Sequence, residues 1–209
     1  MKTIILNGSP RKDRNTALLL KSAQRGAESA GAETEYIELF DLKYTGCRSC
    51  LACKRKGVPE PCRCYFQDEL TPVLERIWRS DRLIMGSPIY FGEPTGQLRM
   101  VLERAVFPAL SYNSFSTVFK GKVDVDVFLT MNAPEAAYEK LYRAKMEEYF
   151  GPFRLLNGDI AIHPVWDTVQ VSDYSRYEMA GIDGAKKQAR HDAEFSGLLA
   201  QAFEVGKKH

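Results

Sequence analysis

The sequence predicts an α/β fold, a doubly wound, five-stranded parallel sheet with helices on both faces. Two observations carry this. Short apolar or β-branched runs alternate five times with longer segments whose apolar residues recur at helical spacing. The first run is apolar throughout rather than alternating, as a strand covered on both faces must be.

Each element follows from its own residues. Thr3–Leu6 is the continuous apolar run of strand one. Over Thr16–Ala30, Leu19, Leu20, Ala23, Ala27 and Ala30 share one helical face. Thr34–Leu39 is the second strand. A cysteine-rich loop comes next, then a helix from about Gln67 to Trp78 with a stripe of Leu70, Val73, Leu74 and Ile77. Arg82–Gly86 is the third strand. Gly96–Val106 is a helix with Leu98, Val101, Leu102 and Ala105 inward. Val123–Thr130 alternates Val with Asp as the fourth strand, Pro134–Tyr149 is helical, and Ile160–Ile162 marks the fifth strand. Ala185–Gly206 forms the last helix. No repeat, low-complexity tract or linker interrupts the pattern, so the 209 residues read as one domain. It carries a cysteine-rich insertion at about 46–66 and a C-terminal strap and helix at about 164–209.

Composition narrows the function classes. Hydrophobic residues make up 44% and charged residues 27%, as in an ordinary water-soluble domain. A net charge of +2 is too small for a polyanion-binding surface over the whole molecule, so no nucleic-acid partner is expected. No apolar run is long enough to span a bilayer. The start, MKTIILNGSPRKD, breaks into Asn7-Gly8 after a three-residue apolar core and does not read as a secretory signal. The expected location is the cytoplasm, where cysteines are mostly thiols or ligands rather than disulfides.

A doubly wound sheet binds its ligand outside the carboxyl ends of the strands, where strand order reverses. In the order 2-1-3-4-5 that point lies between strands one and three. Strand one runs into NGSPRKDRNT, with Thr16 opening the helix. Gly8 permits a tight turn, Ser9, Asn15 and Thr16 offer hydroxyl and amide groups, and Arg11 offers a bidentate donor. The helix start adds unpaired N–H groups. The loop is neither a dinucleotide G-x-G-x-x-G nor a Walker A motif, and it suits one terminal phosphate. Strand three runs into GSPIYFGEPTGQLRMVLERA. Pro88 ends the strand, Ile89, Tyr90 and Phe91 supply flat or apolar faces, and Gly92 and Gly96 free the backbone to aim N–H groups at a planar heterocycle.

NGSPRKDRNT resembles the FMN-phosphate loop of the NADPH-dependent FMN reductase family, whose fold is flavodoxin-like. The segment from Ser87 to Arg104 resembles the same family's second loop, with Thr95, Arg99 and Glu103 as same-class departures where Ser, Lys and Asp are commoner. The resemblance implies bound FMN, seated on Ser9, Arg11, Asn15, Thr16, Pro88, Ile89, Tyr90, Phe91 and Gly92. A third contact would come from Thr130, Met131 and Asn132 in FLTMNAPE, whose Ala133-Pro134-Glu135 also reads simply as a helix start. It further implies an oxidoreductase passing electrons from NAD(P)H to a quinone, a flavin or another small acceptor, as a homodimer or higher homo-oligomer. No catalytic side chain is expected, because the flavin carries the chemistry.

All five cysteines lie in GCRSCLACKRKGVPEPCRCYFQDE. Cys47, Cys50 and Cys53 at x2 spacing suit three corners of an iron–sulfur cubane, and a fourth thiolate would complete that set or a zinc site. Arg48, Lys54, Arg55, Lys56 and Arg63 would equally activate free thiols or receive the extra phosphate of NADPH. The residues leave a [4Fe–4S] cluster, zinc and redox-active thiols open. The position after strand two resembles the iron–sulfur flavoprotein branch of the same family. That likeness implies Cys47, Cys50, Cys53 and Cys64 as ligands, with Cys62 as the alternative fourth. Cys64 is preferred because it stands four residues before Asp68, although the gap before it is long and holds Pro59 and Pro61. In that branch the protein would be an electron carrier exchanging electrons with ferredoxin.

HPVWDTVQVSDYSRYEMAGID, after strand five, is aromatic and turn-rich. It reads as a strap packed on the body of its own chain, or as an arm reaching a neighbouring subunit's flavin. His163 reads as structural and His191 as solvated.

Overall fold

The computed structural model describes residues 1–58, 60 and 62–208, so Pro59 and Pro61 lie outside the described residues. Its five strands are β1 (Lys2–Asn7), β2 (Glu33–Glu38), β3 (Arg82–Pro88), β4 (Val123–Thr130) and β5 (Asn157–Val165). All pair in parallel in the order β2-β1-β3-β4-β5, the expected topology. The helices are α1 (Asn15–Ser29), α2 (Thr71–Ile77), α3 (Gly96–Val106), α4 (Glu135–Ala137), α5 (Arg143–Phe150) and α6 (Gly184–Lys207).

Strand alternation sends side chains to two cores. Ile4, Leu6, Leu83, Met85, Val125 and Val127 pack under α2, α3 and α5 on one face. Ile5, Ile84, Phe128 and Val165 pack under α1 and α6 on the other. On that second face the two helices lie backbone to backbone. A Cβ on Gly206 would overlap Ala23 O, and one on Gly26 would stand 2.9 Å from the carbonyl carbon of Phe203.

Two expected helices differ from the sequence reading. The one placed from Gln67 starts only at Thr71. Asp68 Oδ1 accepts from Leu70 N at 3.0 Å and Asp68 Oδ2 accepts from Arg104 Nη1 at 2.5 Å, so this carboxylate holds a turn rather than a helical residue. Pro134–Tyr149 is not one regular helix, since a π-helical turn over Tyr138–Tyr142 separates α4 from α5. The widened turn seats Tyr138 in the core, 6.3 Å from the ring of Trp166, while Tyr142 faces Gly92.

At the opposite end of the sheet from the expected site, Arg82 is buried with Asp126. Its Nε and Nη2 donate to Asp126 Oδ2 at 2.8 and 2.5 Å, and its remaining hydrogens go to the carbonyls of Val205, Gly206 and Lys208. One guanidinium thereby joins β3 to β4 and satisfies the orphan carbonyls at the end of α6. His163 Nε2 lies 2.7 Å from Asp126 Oδ1 and its ring stacks 4.9 Å from Phe128, the structural role expected of it. His191 differs from expectation. It stacks on Phe195 at 4.4 Å, one turn along α6, and is half-buried.

Candidate functional site: two cavities

β1 and β3 end side by side, with Asn7 in register with Gly86, and the chain diverges from them into the two distinctive loops. Gly8 N donates to Gly86 O at 2.8 Å. A Cβ on Gly8 would stand 2.9 Å from that same oxygen, and one on Gly86 would stand 2.7 Å from Thr16 Cγ2. The two loops can therefore meet only because both positions lack a side chain. Thr95 then ties them together. Its Oγ1 donates to Gly8 O at 2.7 Å, and its N–H donates to Ser87 Oγ at 2.9 Å. The departure at Thr95 keeps the hydroxyl that this contact uses.

The first loop closes on itself through Ser9, whose N–H donates to Asn7 Oδ1 at 3.0 Å and whose Oγ accepts from Arg11 N at 3.1 Å. The N-terminus of α1 has no side-chain cap and no acidic residue in its first turn. Its N–H groups and the helix dipole thus remain available to an anion. Thr16 Oγ1 and Thr130 Oγ1 lie 2.8 Å apart, which brings the end of β4 to the start of α1.

In the second loop, Tyr90 and Glu93 exchange backbone hydrogen bonds at 2.7 and 3.0 Å around Phe91 and Gly92, which have φ of 50° and 79°. Positive φ at both central residues makes a tight hairpin turn of the primed type. It holds the Phe91 side chain fully in solvent and leaves Tyr90 half-exposed. Ile89 N donates to Thr130 O at 2.9 Å, joining this loop to the end of β4.

These segments line one cavity of about 130 Å³. Its walls include Ser9, Arg11, Asn15, Thr16, Pro88, Ile89, Tyr90, Thr130, Met131 and Asn132, so ten of the twelve expected FMN residues meet there. Phe91 and Gly92 stand outside the wall, on the rim beyond Tyr90. The enclosed space suits a phosphate and a short polyol, and a planar ring would extend to the rim of Tyr90 and Phe91. A larger, open concavity of about 710 Å³, bordered by Asp81, Asp124 and Asp159, lies at the amino ends of the strands. Ligands of doubly wound sheets bind at the other end, so the smaller cavity is the candidate site.

Sequence reasoning missed the third wall, made of Thr168, Val169 and Gln170. The segment after β5 folds over its own chain's first loop. Arg11 Nη1 donates to Gln170 O at 2.5 Å, and Asn15 Nδ2 donates to Val169 O at 2.8 Å. The fit to FMN rests on unpaired groups. Asn132 Oδ1 and Gln170 Oε1 are buried without a hydrogen-bond partner, and both residues line the cavity. Buried acceptors without donors are costly, and a bound molecule carrying hydroxyl or N–H groups would satisfy them.

A second cavity lies along α3. It is lined by Cys47, Cys50, Cys53 and Cys64, together with Arg104 and Phe107, while Cys62 borders a different surface depression beside Trp78. The four cysteines preferred from sequence thus share one wall, and the alternative fourth does not. Ser49 and Leu51 have φ of 53° and 56°, so the arm between Cys47 and Cys53 coils tightly. Cys47 N donates to Glu103 Oε2 at 3.1 Å, docking the arm on α3. Burial pushes the Cys62 thiol up to about 11, despite the nearby Lys54 cation. Among the described residues, no group of three or more His, Cys, Asp or Glu side chains converges to hold a metal ion. The cavity encloses about 20 Å³, room for a water-sized species. The donor chemistry therefore fits an iron–sulfur cluster, while the space around the thiols in this conformation does not.

The cations of this loop are partly spent on structure. Lys54 Nζ donates to Phe107 O at 2.5 Å and to Pro108 O at 3.3 Å. Arg63 pairs with Glu60 and Glu75, each at 2.9 Å. Neither remains the loose phosphate-receiving cation that the sequence allowed. Arg104, 1% exposed, donates to Thr45 O, Phe66 O, Thr71 Oγ1 and Asp68 Oδ2. Burial works against its charge, but hydrogen bonds to Asp68 and Cys64 outweigh that and raise its pKa. α3 starts at Gly96, directly after the Thr95 that ties the two loops, and reaches the second cavity at Arg104, about 12 Å along the helix at 1.5 Å per residue.

Comparison with known proteins agrees with this geometry. The sequence pattern of the family described as NADPH-dependent FMN reductase matches residues 1–134. An iron–sulfur flavoprotein of Methanocaldococcus jannaschii is 37% identical over 105 residues, which cover 50% of this chain and 52% of that one. An iron–sulfur flavoprotein of Methanosarcina thermophila is 27% identical over 106 residues, covering 51% and 53%. The chain thus matches about half the length of these relatives. Among solved structures, an NAD(P)H:quinone oxidoreductase from Methanothermobacter marburgensis aligns with a TM-score of 0.73 at 18% identity, over 100% of this chain and 98% of that one. An azoreductase from Bacillus anthracis aligns at 0.65 and 11% identity, over 100% and 99%. The fold is flavodoxin-like. Among the described residues, no helix is long and apolar enough to cross a membrane.

Proposed function

The chain belongs to the NADPH-dependent FMN reductase family, and from that premise we propose that it is an FMN-dependent oxidoreductase taking electrons from NAD(P)H to a small acceptor such as a quinone or a flavin. The observation that carries this is the junction at the β1/β3 switch point. The two family loops line one cavity there, an uncapped helix start lies at one end and an exposed aromatic at the other.

Bound FMN supplies the electron chemistry, and the chain's residues bind and orient it. Arg11, Asn15 and the N–H groups opening α1 hold the phosphate. Ser87 and Thr95 fix the spacing of the two loops. Tyr90 and Phe91 offer the apolar rim for the ring, and Asn132 offers an acceptor. No acid or base is required of a side chain at this cavity.

Anaerobic stopped-flow tests the proposal. Bound flavin is expected to bleach on mixing with NADPH or NADH and to recolour with a quinone. Failure of both nucleotides, together with rapid bleaching by reduced ferredoxin, would replace it with the second reading. That reading is an iron–sulfur flavoprotein electron carrier, and the four cysteines sharing one wall along α3 support it. The remaining parts of the proposal are a cytoplasmic location and a homo-oligomeric assembly.

A further inference from the structure

We propose that Gln170, on the strap after β5, is a flavin-binding residue that reads the ribityl hydroxyls, so that the strap forms a wall of its own chain's site. The proposal rests on the FMN reading and extends it to a segment outside the matched residues 1–134.

Gln170 borders the cavity, and its Oε1 is buried with no hydrogen-bond partner. A buried amide oxygen is an acceptor, so its missing partner is a donor. A phosphate dianion offers acceptors only. The donors of FMN are the ribityl hydroxyls and one ring N–H. The backbone oxygen of Gln170 accepts from Arg11, the phosphate-binding arginine, at 2.5 Å, which sets this residue at the phosphate end of the cavity. The polyol is the part of FMN adjacent to the phosphate, so the hydroxyls are the donors within reach.

The strap is also held in place. Thr168 N and Thr168 Oγ1 donate to Met131 O at 2.9 and 3.1 Å, and Gln170 N donates to Tyr174 Oη at 3.0 Å. Asp167, at φ 60°, is pinned by ion pairs to Lys187 and Arg190 on α6. Five anchors, on Met131 after β4, on α6 and within the strap, fix the backbone from which the Gln170 side chain extends before any ligand arrives. That is the condition under which a hydrogen bond contributes fully to affinity.

The test is flavin binding followed by fluorescence quenching, with FMN, riboflavin and lumiflavin, which lacks the ribityl chain. Gln170→Met keeps the volume and removes the acceptor, and Gln170→Asn withdraws it by one methylene. In each variant that melts like the wild type, FMN and riboflavin are expected to bind about tenfold more weakly and lumiflavin within about twofold of wild type. Unchanged FMN and riboflavin affinities would overturn the proposal. Hydrogen exchange on the wild-type chain is the second measurement. Amides of 168–172 are expected to gain protection with FMN, and no gain would count against a strap wall. A wild-type chain that binds none of the three flavins would remove the FMN reading itself.

Discussion

At the scale of single residues, the candidate site depends on what is missing as much as on what is present. Gly8 and Gly86 have no side chain where one would strike a carbonyl or Thr16, and the two loops meet in the space left. Gly8 was legible as a turn residue in NGSPRKDRNT. Gly86 was not, because a glycine ending an apolar strand says that something approaches closely without saying what. Arg11 reads as a phosphate ligand from its fork of donors, and its partner in the structure, the carbonyl of Gln170, is 159 positions away. A charge-assisted bond to phosphate is stronger than one to a neutral carbonyl. Arg11→Leu is therefore expected to weaken FMN by about tenfold to a hundredfold while riboflavin changes by less than about threefold, read as dissociation constants by fluorescence quenching. Equal losses for both ligands would place Arg11 away from the phosphate.

At the scale of elements, the pairing of Arg82 with Asp126 locks β3, β4 and the end of α6. Burial pushes the Asp126 carboxyl up, but hydrogen bonds from His163 and Arg82 outweigh it and hold the group below the usual carboxylate range. A depressed folded pKa stabilises the protein above the unfolded value, and this stabilisation is lost as pH falls through the folded one. The loss belongs below about pH 4. Asp126→Asn leaves a buried guanidinium short of its counter-charge, and about 3–5 kcal/mol of stability is expected to disappear at pH 7. The variant's melting temperature should then depend less on pH between 4 and 2 than the wild type's. A variant as stable as wild type at pH 7 would mean that the carbonyls of α6 alone satisfy Arg82. The alternation of Val and Asp in β4 foretold a strand, and only the arrival of α6 from the far end of the chain explains why Asp126 is buried.

At the scale of the whole molecule, α3 runs from the junction of the two loops to the cysteines. It starts one residue after Thr95, whose hydroxyl donates to Gly8 O, and carries Arg104 to the wall of the cysteine cavity. If a cluster forms on Cys47, Cys50, Cys53 and Cys64, Cys64→Ser should abolish it and Cys62→Ser should leave it intact. Iron content and the visible shoulder of anaerobically purified protein report this, with about four irons per chain expected where the cubane ligand set is complete. Loss of iron in Cys62→Ser with retention in Cys64→Ser would reverse the assignment. Wild-type protein showing flavin bands alone, without iron, would leave the cysteines as thiols. The choice between Cys62 and Cys64 rests on the distance to Asp68, and in the fold the two cysteines part. Arg104 joins Asp68 to the Cys64 side of the loop, and Cys62, at φ 66°, turns away toward Trp78.

The sequence by itself determined the strands, their succession and the two loops that follow β1 and β3, because each is written in contiguous residues. Period, turn chemistry and an uncapped helix start need no partner from elsewhere in the chain. The tertiary structure alone decided the rest. The start of α2, the π turn at Tyr138–Tyr142, the burial of Asp126 and the wall contributed by Gln170 all arise from contacts between residues tens to more than a hundred positions apart. Local patterning carries the geometry of an element. What that element meets is settled only when the chain closes on itself and each buried polar group must find a partner.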